Sequence, residues 1–228
     1  ISLGLVGSEM CIRDRHFMKS LRRKAISILT GLMALLMLTA CSGGTAAVTW
    51  ETSRTKQYYE SCGVTSQNIS LQATVSASGQ QGEYFFTRNE EFAYAETRIA
   101  NLKAKILTDT EGNVYTTQTG YDGWTKYAAG SPNSQATKLI WAGHLFVIPT
   151  AEIVESVTSE KVIRKETEYT AETIRMSVNG TPANYTYYYG KNGLEFVESS
   201  EARFKITKLS GVPTTEYLKT PAKWHLDG

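Results

Sequence analysis

In residues 69–77 an apolar side chain stands at every second position: Ile69, Leu71, Ala73, Val75 and Ala77, with polar neighbours between them. A period of two puts one set of side chains on one face of an extended strand, so this stretch reads as a strand with one face buried. The pattern recurs. Gly79-Gln80-Gln81-Gly82 reads as a turn, and residues 83–88 and 91–99 follow as aromatic-rich strand material. Residues 102–108 alternate again, with Leu102, Ala104 and Ile106 on one face. The stretch 109–113 (Asp-Thr-Glu-Gly-Asn) is a turn, and 114–119 and 123–127 are short strands. Asn179-Gly180 and Asn192-Gly193 are hairpin signals, because these pairs accept the positive φ of tight turns. Strand-like segments at 186–189, 194–199 and 203–209 follow, the last expected to close the sheet. Two stretches break the pattern: residues 48–62 read as a short helix with Trp50, Tyr58 and Tyr59 as its apolar contacts. Residues 135–148 (QATKLIWAGHLFVI) read first as a helix, with Leu139, Ile140, Trp141, Leu145 and Phe146 against the sheet. Periodicity leaves a buried strand open there. Many hairpins and few helices predict a mainly β (β-rich α+β) domain, one large curved antiparallel sheet packed on one or two short helices.

Upstream of this domain the sequence has a different purpose. Lys19, Arg22, Arg23 and Lys24 form a basic cluster, and residues 25–38 are an apolar run too short to span a bilayer. Leu38-Thr39-Ala40-Cys41 then matches a lipobox. Small residues before the cysteine let an extended segment enter a peptidase site, and the Cys41 thiol is the nucleophile that takes a diacylglyceryl group. Cys41 is thus the expected lipidation site, with Leu38, Thr39 and Ala40 as the peptidase recognition residues. Two acyl chains suffice for stable anchoring where one does not. The expected group is a covalent diacylglycerol, with a further N-acyl chain where the freed amine is also modified; no other cofactor is expected. Residues 1–17 contain a stretch that resembles translated sequencing-adaptor sequence, so Met18 is the expected start. The predicted organisation is an extension (1–17), a signal peptide (18–40), a lipidated cysteine with a flexible tether (41–49) and one β-rich domain (50–228). Six of the 24 basic residues but only two of the 22 acidic ones precede Cys41, so cleavage would turn a net charge of +2 into −2. No basic block remains to bind nucleic acid or lipid headgroups.

Three further segments carry a resemblance: GEYFFTRNEEFAYAE, LKAKILTDTEGNVYTTQTGYDGWTKY and ETIRMSVNGTPANYTYYYGKNGLEFVES. With the closing FKITKLSGVPTTEYLKTPAKW, they resemble small lipoproteins of Gram-positive gut bacteria with a LolA/LppX-like architecture. The likeness spans most of residues 69–224 as a pattern of texture and order, with no short invariant motif. It implies an unclosed β-barrel wrapped over one or two helices, with a hydrophobic cavity between. Better-understood members carry acylated cargo between membranes. It also implies a single-membrane cell, which places the domain on the outer face of the cell membrane.

The residues offer no catalytic arrangement. Nucleophilic catalysis needs a nucleophile, a base and an orienting acid; only His144 and His225 follow Cys41, one in the apolar stretch and one near the frayed C-terminus. Asp109, Glu111 and Asn113 resemble part of a calcium loop, and a hairpin turn accounts for them. No zinc set exists, and Cys62 reads as a small buried hydrophobe without a disulfide partner. Residues Tyr84, Phe86, Phe92, Tyr94, Ile106, Trp124, Trp141, Leu145 and Phe146 are the candidates to line an apolar ligand cavity, although aromatic strand residues are more often plain core. The leading expectation is a non-enzymatic, membrane-anchored lipoprotein that binds an apolar or lipid-like ligand as carrier or sensor. The alternative is a cell-envelope scaffold with a filled core and a protein partner, favoured by an exposed tyrosine ladder at residues 185–189 (YTYYY).

Overall fold

The computed structural model describes residues 44–77, 79–133, 146–178 and 180–226. Thr45–Gly228 forms one compact unit. Its thirteen described strands make a single curved, half-barrel-like sheet in the order β1-β8-β9-β10-β11-β12-β2-β3-β4-β5-β6-β7-β13. The terminal strands, β1 (Ala46–Val48) and β13 (Trp224–Leu226), do not meet, so the barrel stays open. Every neighbouring pair is antiparallel except β13, which runs parallel to β7 (Trp124–Tyr127).

The sheet consists of two meanders. The first runs β2 (Ile69–Ala77), β3 (Gln80–Arg88), β4 (Phe92–Ile99), β5 (Leu102–Asp109), β6 (Val114–Gln118) and β7. The second runs β8 (Val154–Arg164), β9 (Thr167–Val178), β10 (Thr181–Gly190), β11 (Gly193–Glu198) and β12 (Ala202–Ser210). The strand predicted over 203–209 is therefore not an edge: β12 pairs with β2 and joins the meanders mid-sheet.

Residues directly opposite one another in an antiparallel pair share a face. The row Leu71, Phe86, Ala95, Ile106 runs along the concave face, and all four are buried. The row Gln72, Phe85, Glu96, Lys105 runs along the outer face. The alternation read in β2 is thus the concave side, where Ile69, Leu71, Ala73 and Val75 enter the main core. Of these, Ile69, Leu71 and Val75 each contribute roughly 1.5–3 kcal/mol on full burial.

Three elements depart from the sequence reading. Ala46–Val48, expected within the flexible tether, is strand β1 and pairs with Val157, Thr158 and Ser159 of β8. The helix predicted over 48–62 is shorter: a 3-10 turn (Trp50–Thr52) leads into α1 (Arg54–Ser61). Ser53 caps it, its side chain accepting from Lys56 N at 3.1 Å. The long hairpin of β8 and the start of β9 carries little apolar alternation; of β8 only Val157 is buried. Its turn, Lys165-Glu166, has φ of 46° and 67° without a glycine or asparagine to announce it. The helix predicted over 135–148 lies outside the described residues except Phe146, Val147 and Ile148, of which Phe146 and Ile148 are buried in the main core. Among the described residues no helix is long and apolar enough to cross a membrane.

Candidate functional site

α1 packs on the concave face against β9–β11, and a buried carboxylate holds it there. Glu172 of β9 is 2% exposed and accepts from Arg54 N at 2.7 Å, Thr55 N at 2.8 Å and Thr55 Oγ1 at 2.8 Å. A carboxylate here meets the free N–H groups and positive dipole end of the helix. Tyr189 donates its hydroxyl to Thr55 Oγ1 at 2.9 Å, and the Arg54 guanidinium lies 4.9 Å over the Tyr189 ring. Edge-on ring contacts from Tyr58 to Tyr189 and from Tyr59 to Tyr187 complete the joint. A Cβ at Gly193 would stand 2.7 Å from the Tyr58 ring, so the absence of a side chain there lets the helix approach. Burial pushes the Tyr59, Tyr187 and Tyr189 hydroxyls well above the usual phenol range.

The nine candidate cavity residues do not share one lining. Tyr84, Phe86, Ile106 and Phe146 belong to the concave core, where Phe146 packs 6.4 Å from Phe86 and 5.9 Å from Phe204. Phe92, Tyr94 and Trp124 are on the outer face, in a second cluster with Leu107, Tyr115 and Leu218. The reason is parity in β4: Ala93 and Ala95 share the concave row, which turns Phe92 and Tyr94 outward. There the C-terminal segment covers them, with Tyr217 stacked on Tyr94 at 5.0 Å and edge-on to Phe85 at 5.2 Å. Trp141 and Leu145 lie outside the described residues, as do Leu38, Thr39, Ala40 and Cys41.

The other candidates resolve as follows. Tyr187, Tyr188 and Tyr189 are buried and Tyr185 is half-buried, so the exposed tyrosine ladder expected to favour a scaffold is absent. Asn113 Nδ2 donates to Asp109 Oδ2 at 2.9 Å and to Glu111 Oε2 at 3.0 Å, which is a hairpin fastening. Among the described residues no three histidine, cysteine or acidic side chains are grouped to hold a metal ion. His225, expected to fray, sits on β13 with Nε2 2.9 Å from Thr125 Oγ1. Cys62 is half-buried against the core with a free thiol.

The outer face carries two grooves that the sequence did not announce. One, of about 610 Å³, lies between β2–β4 and the C-terminal segment, with Glu83, Glu96, Arg98, Lys208, Glu216 and Tyr217 around it. Desolvation there pushes the Glu96 carboxyl up, but bonds from Lys103 and Tyr94 outweigh it and leave it below the usual range. The other, of about 810 Å³, lies beneath the β8–β9 turn, lined by Arg164, Lys165, Arg203 and Lys205 with Tyr169 and Phe196. Glu198 is its anchor: both its oxygens accept from Arg164, and Arg203 Nε stands 3.1 Å from one. Desolvation opposes ionisation of Glu198, yet bonds from Arg164 and Tyr188 together with the Arg203 charge hold its carboxyl below the usual range. A smaller hollow, about 210 Å³, opens at the end of β3–β5 between Phe86, Phe92 and Phe146. Neither a protein-family model nor a curated protein matches the chain.

Proposed function

We propose that this chain is a lipid-anchored, extracytoplasmic and non-enzymatic protein whose half-barrel binds an apolar or lipid-like ligand on its concave side, on the outer face of the cell membrane. The anchor rests on the basic cluster, apolar run and lipobox ending at Cys41. The observation that carries the ligand reading is the concave lining of β3–β5. Ala93, Ala95 and Ala104 set small side chains among Tyr84, Phe86 and Ile106, with Phe146 at one end. α1 is fastened instead to β9–β11, through Glu172, Tyr187, Tyr189 and Gly193. Apolar walls with few polar groups suit an acyl chain.

The unlipidated domain, residues 42–228, tests this. It contains the compact unit with its own core, the condition for folding alone. It is expected to co-purify with lipid visible by native mass spectrometry and to bind a fluorescent polyene fatty acid saturably. Ala93→Phe, at the half-buried end of the lining beside Phe86 and Phe146, should abolish probe uptake while the fold persists by circular dichroism. A domain that extracts no lipid and ignores the probe would end the ligand reading. Cys41→Ala tests the anchor apart from the ligand: the chain should be released or stall uncleaved.

A further inference from the structure

Arg164, Lys165, Arg203 and Lys205 line the groove beneath the β8–β9 turn, and no carboxylate is among its lining residues. The two arginines share Glu198 and stand over rings, Arg164 Cζ 4.0 Å from the Tyr188 centroid and Arg203 Cζ 4.1 Å from that of Phe196. The two lysines are exposed, and among the described residues neither makes an ion pair or hydrogen bond. Two guanidinium groups gathered at Glu198 with two ammonium groups that make no ion pair suit a phosphate, which accepts directed bonds and carries diffuse charge.

The position of β1 narrows the source. Thr45 Oγ1 donates to Glu160 Oε2 at 3.3 Å, and β8 runs on from Glu160 to Arg164. β1 is antiparallel to β8, so stepping back from Val48 to Ala46 follows β8 from Val157 toward Ser159. The four residues from Thr45 back to Cys41 reach at most ~14 Å. A lipid on Cys41 therefore keeps this end of β8 close to the headgroup layer. We infer that the groove binds the phosphate of an anionic phospholipid headgroup and steadies the domain on the bilayer to which it is anchored. The inference rests on the anchor reading for its geometry.

The test uses the unlipidated domain, residues 42–228, sedimented with vesicles of phosphatidylcholine alone or mixed with phosphatidylglycerol. Binding is expected only to the phosphatidylglycerol vesicles. Each lysine near such a surface is worth about fivefold, so Lys165→Gln with Lys205→Gln should weaken binding on the order of 25-fold. Lys219→Gln with Lys223→Gln, the same charge change in the C-terminal segment, should leave it unchanged. Both pairs are exposed and outside the core. Equal binding to both vesicles, equal loss in both double variants, or displacement by soluble glycerol phosphate would each overturn the proposal. Mass spectrometry of Cys41 in the native chain reads the anchor separately. An unmodified Cys41 with selective vesicle binding removes the anchor and keeps the groove; a lipidated Cys41 without selectivity removes the groove alone.

Discussion

The two faces of the sheet each use one glutamate as a fastener, and the surroundings make these two glutamates different. Glu172 on the concave side is sealed from water and satisfies backbone donors that have no other partner. Glu198 on the outer side keeps a 22% exposed side chain and binds arginines that are themselves over a third exposed. Buried donors left unpaired are costly, whereas exposed ion pairs trade one solvated state for another. The Glu172 joint is thus built for permanence and the Glu198 joint for exchange.

The sharpest way to break that contrast is Glu172→Ala. It strands the Arg54 and Thr55 N–H groups and should cost about 3–4 kcal/mol in urea unfolding. A loss no larger than that of an exposed pair would show that water reaches α1. Gly193→Ala comes next, at about 2–3 kcal/mol. The new Cβ strikes the Tyr58 ring, and φ of +105° is a strained place for any side chain. Glu198→Ala is expected to cost under about 1 kcal/mol of global stability while hydrogen exchange quickens in the β8–β9 turn.

Titration sharpens the comparison at both ends of the pH scale. Glu198 is depressed in the folded state, so its contribution is complete above the ordinary glutamate value of about 4.3 and disappears as pH falls through its lower folded value. Acid should therefore loosen the β8–β9 turn, read by hydrogen exchange at graded pH. The concave tyrosines have the opposite sign. Tyr59, Tyr187 and Tyr189 are raised, so the stability they carry is complete below about pH 10 and lost as pH rises. Ultraviolet titration should show these phenols ionising only together with unfolding.

Much of the first meander was legible because β2 and β5 alternate plainly and three of its five turns carry glycine. β2 and β5 were read with the correct face, and the mainly β, curved sheet followed from counting hairpins, while its openness followed from the resemblance. The second meander was harder. β8 spends its length as half of a long hairpin with one buried residue, and Lys165-Glu166 adopts positive φ without a residue that prefers it. β4 misled for another reason. Its large residues, Phe92 and Tyr94, suggested the inner face, but the inner row is the alanine row because the C-terminal segment gives the aromatic row a cover of its own. The basic groove was invisible because its cations come in two pairs some forty residues apart, and only the β8–β9 turn brings them together. The segment ending at Cys41 gave the clearest expectation in the sequence, but it concerns address, lies outside the described residues and says nothing of the sheet.

The pairing of β12 with β2 and of β8 with β1 sets a schedule for making the molecule. In both seams the partners are more than a hundred residues apart in the chain. A chain that emerges from its N-terminus shows the free edges of β1 and β2 long before the strands that cover them exist. Pairings of such separation are slow, and open edges invite association with other chains. Folding of this half-barrel should therefore be late and abrupt, completed when β12 arrives, and a holding chaperone would help most in the interval before it does.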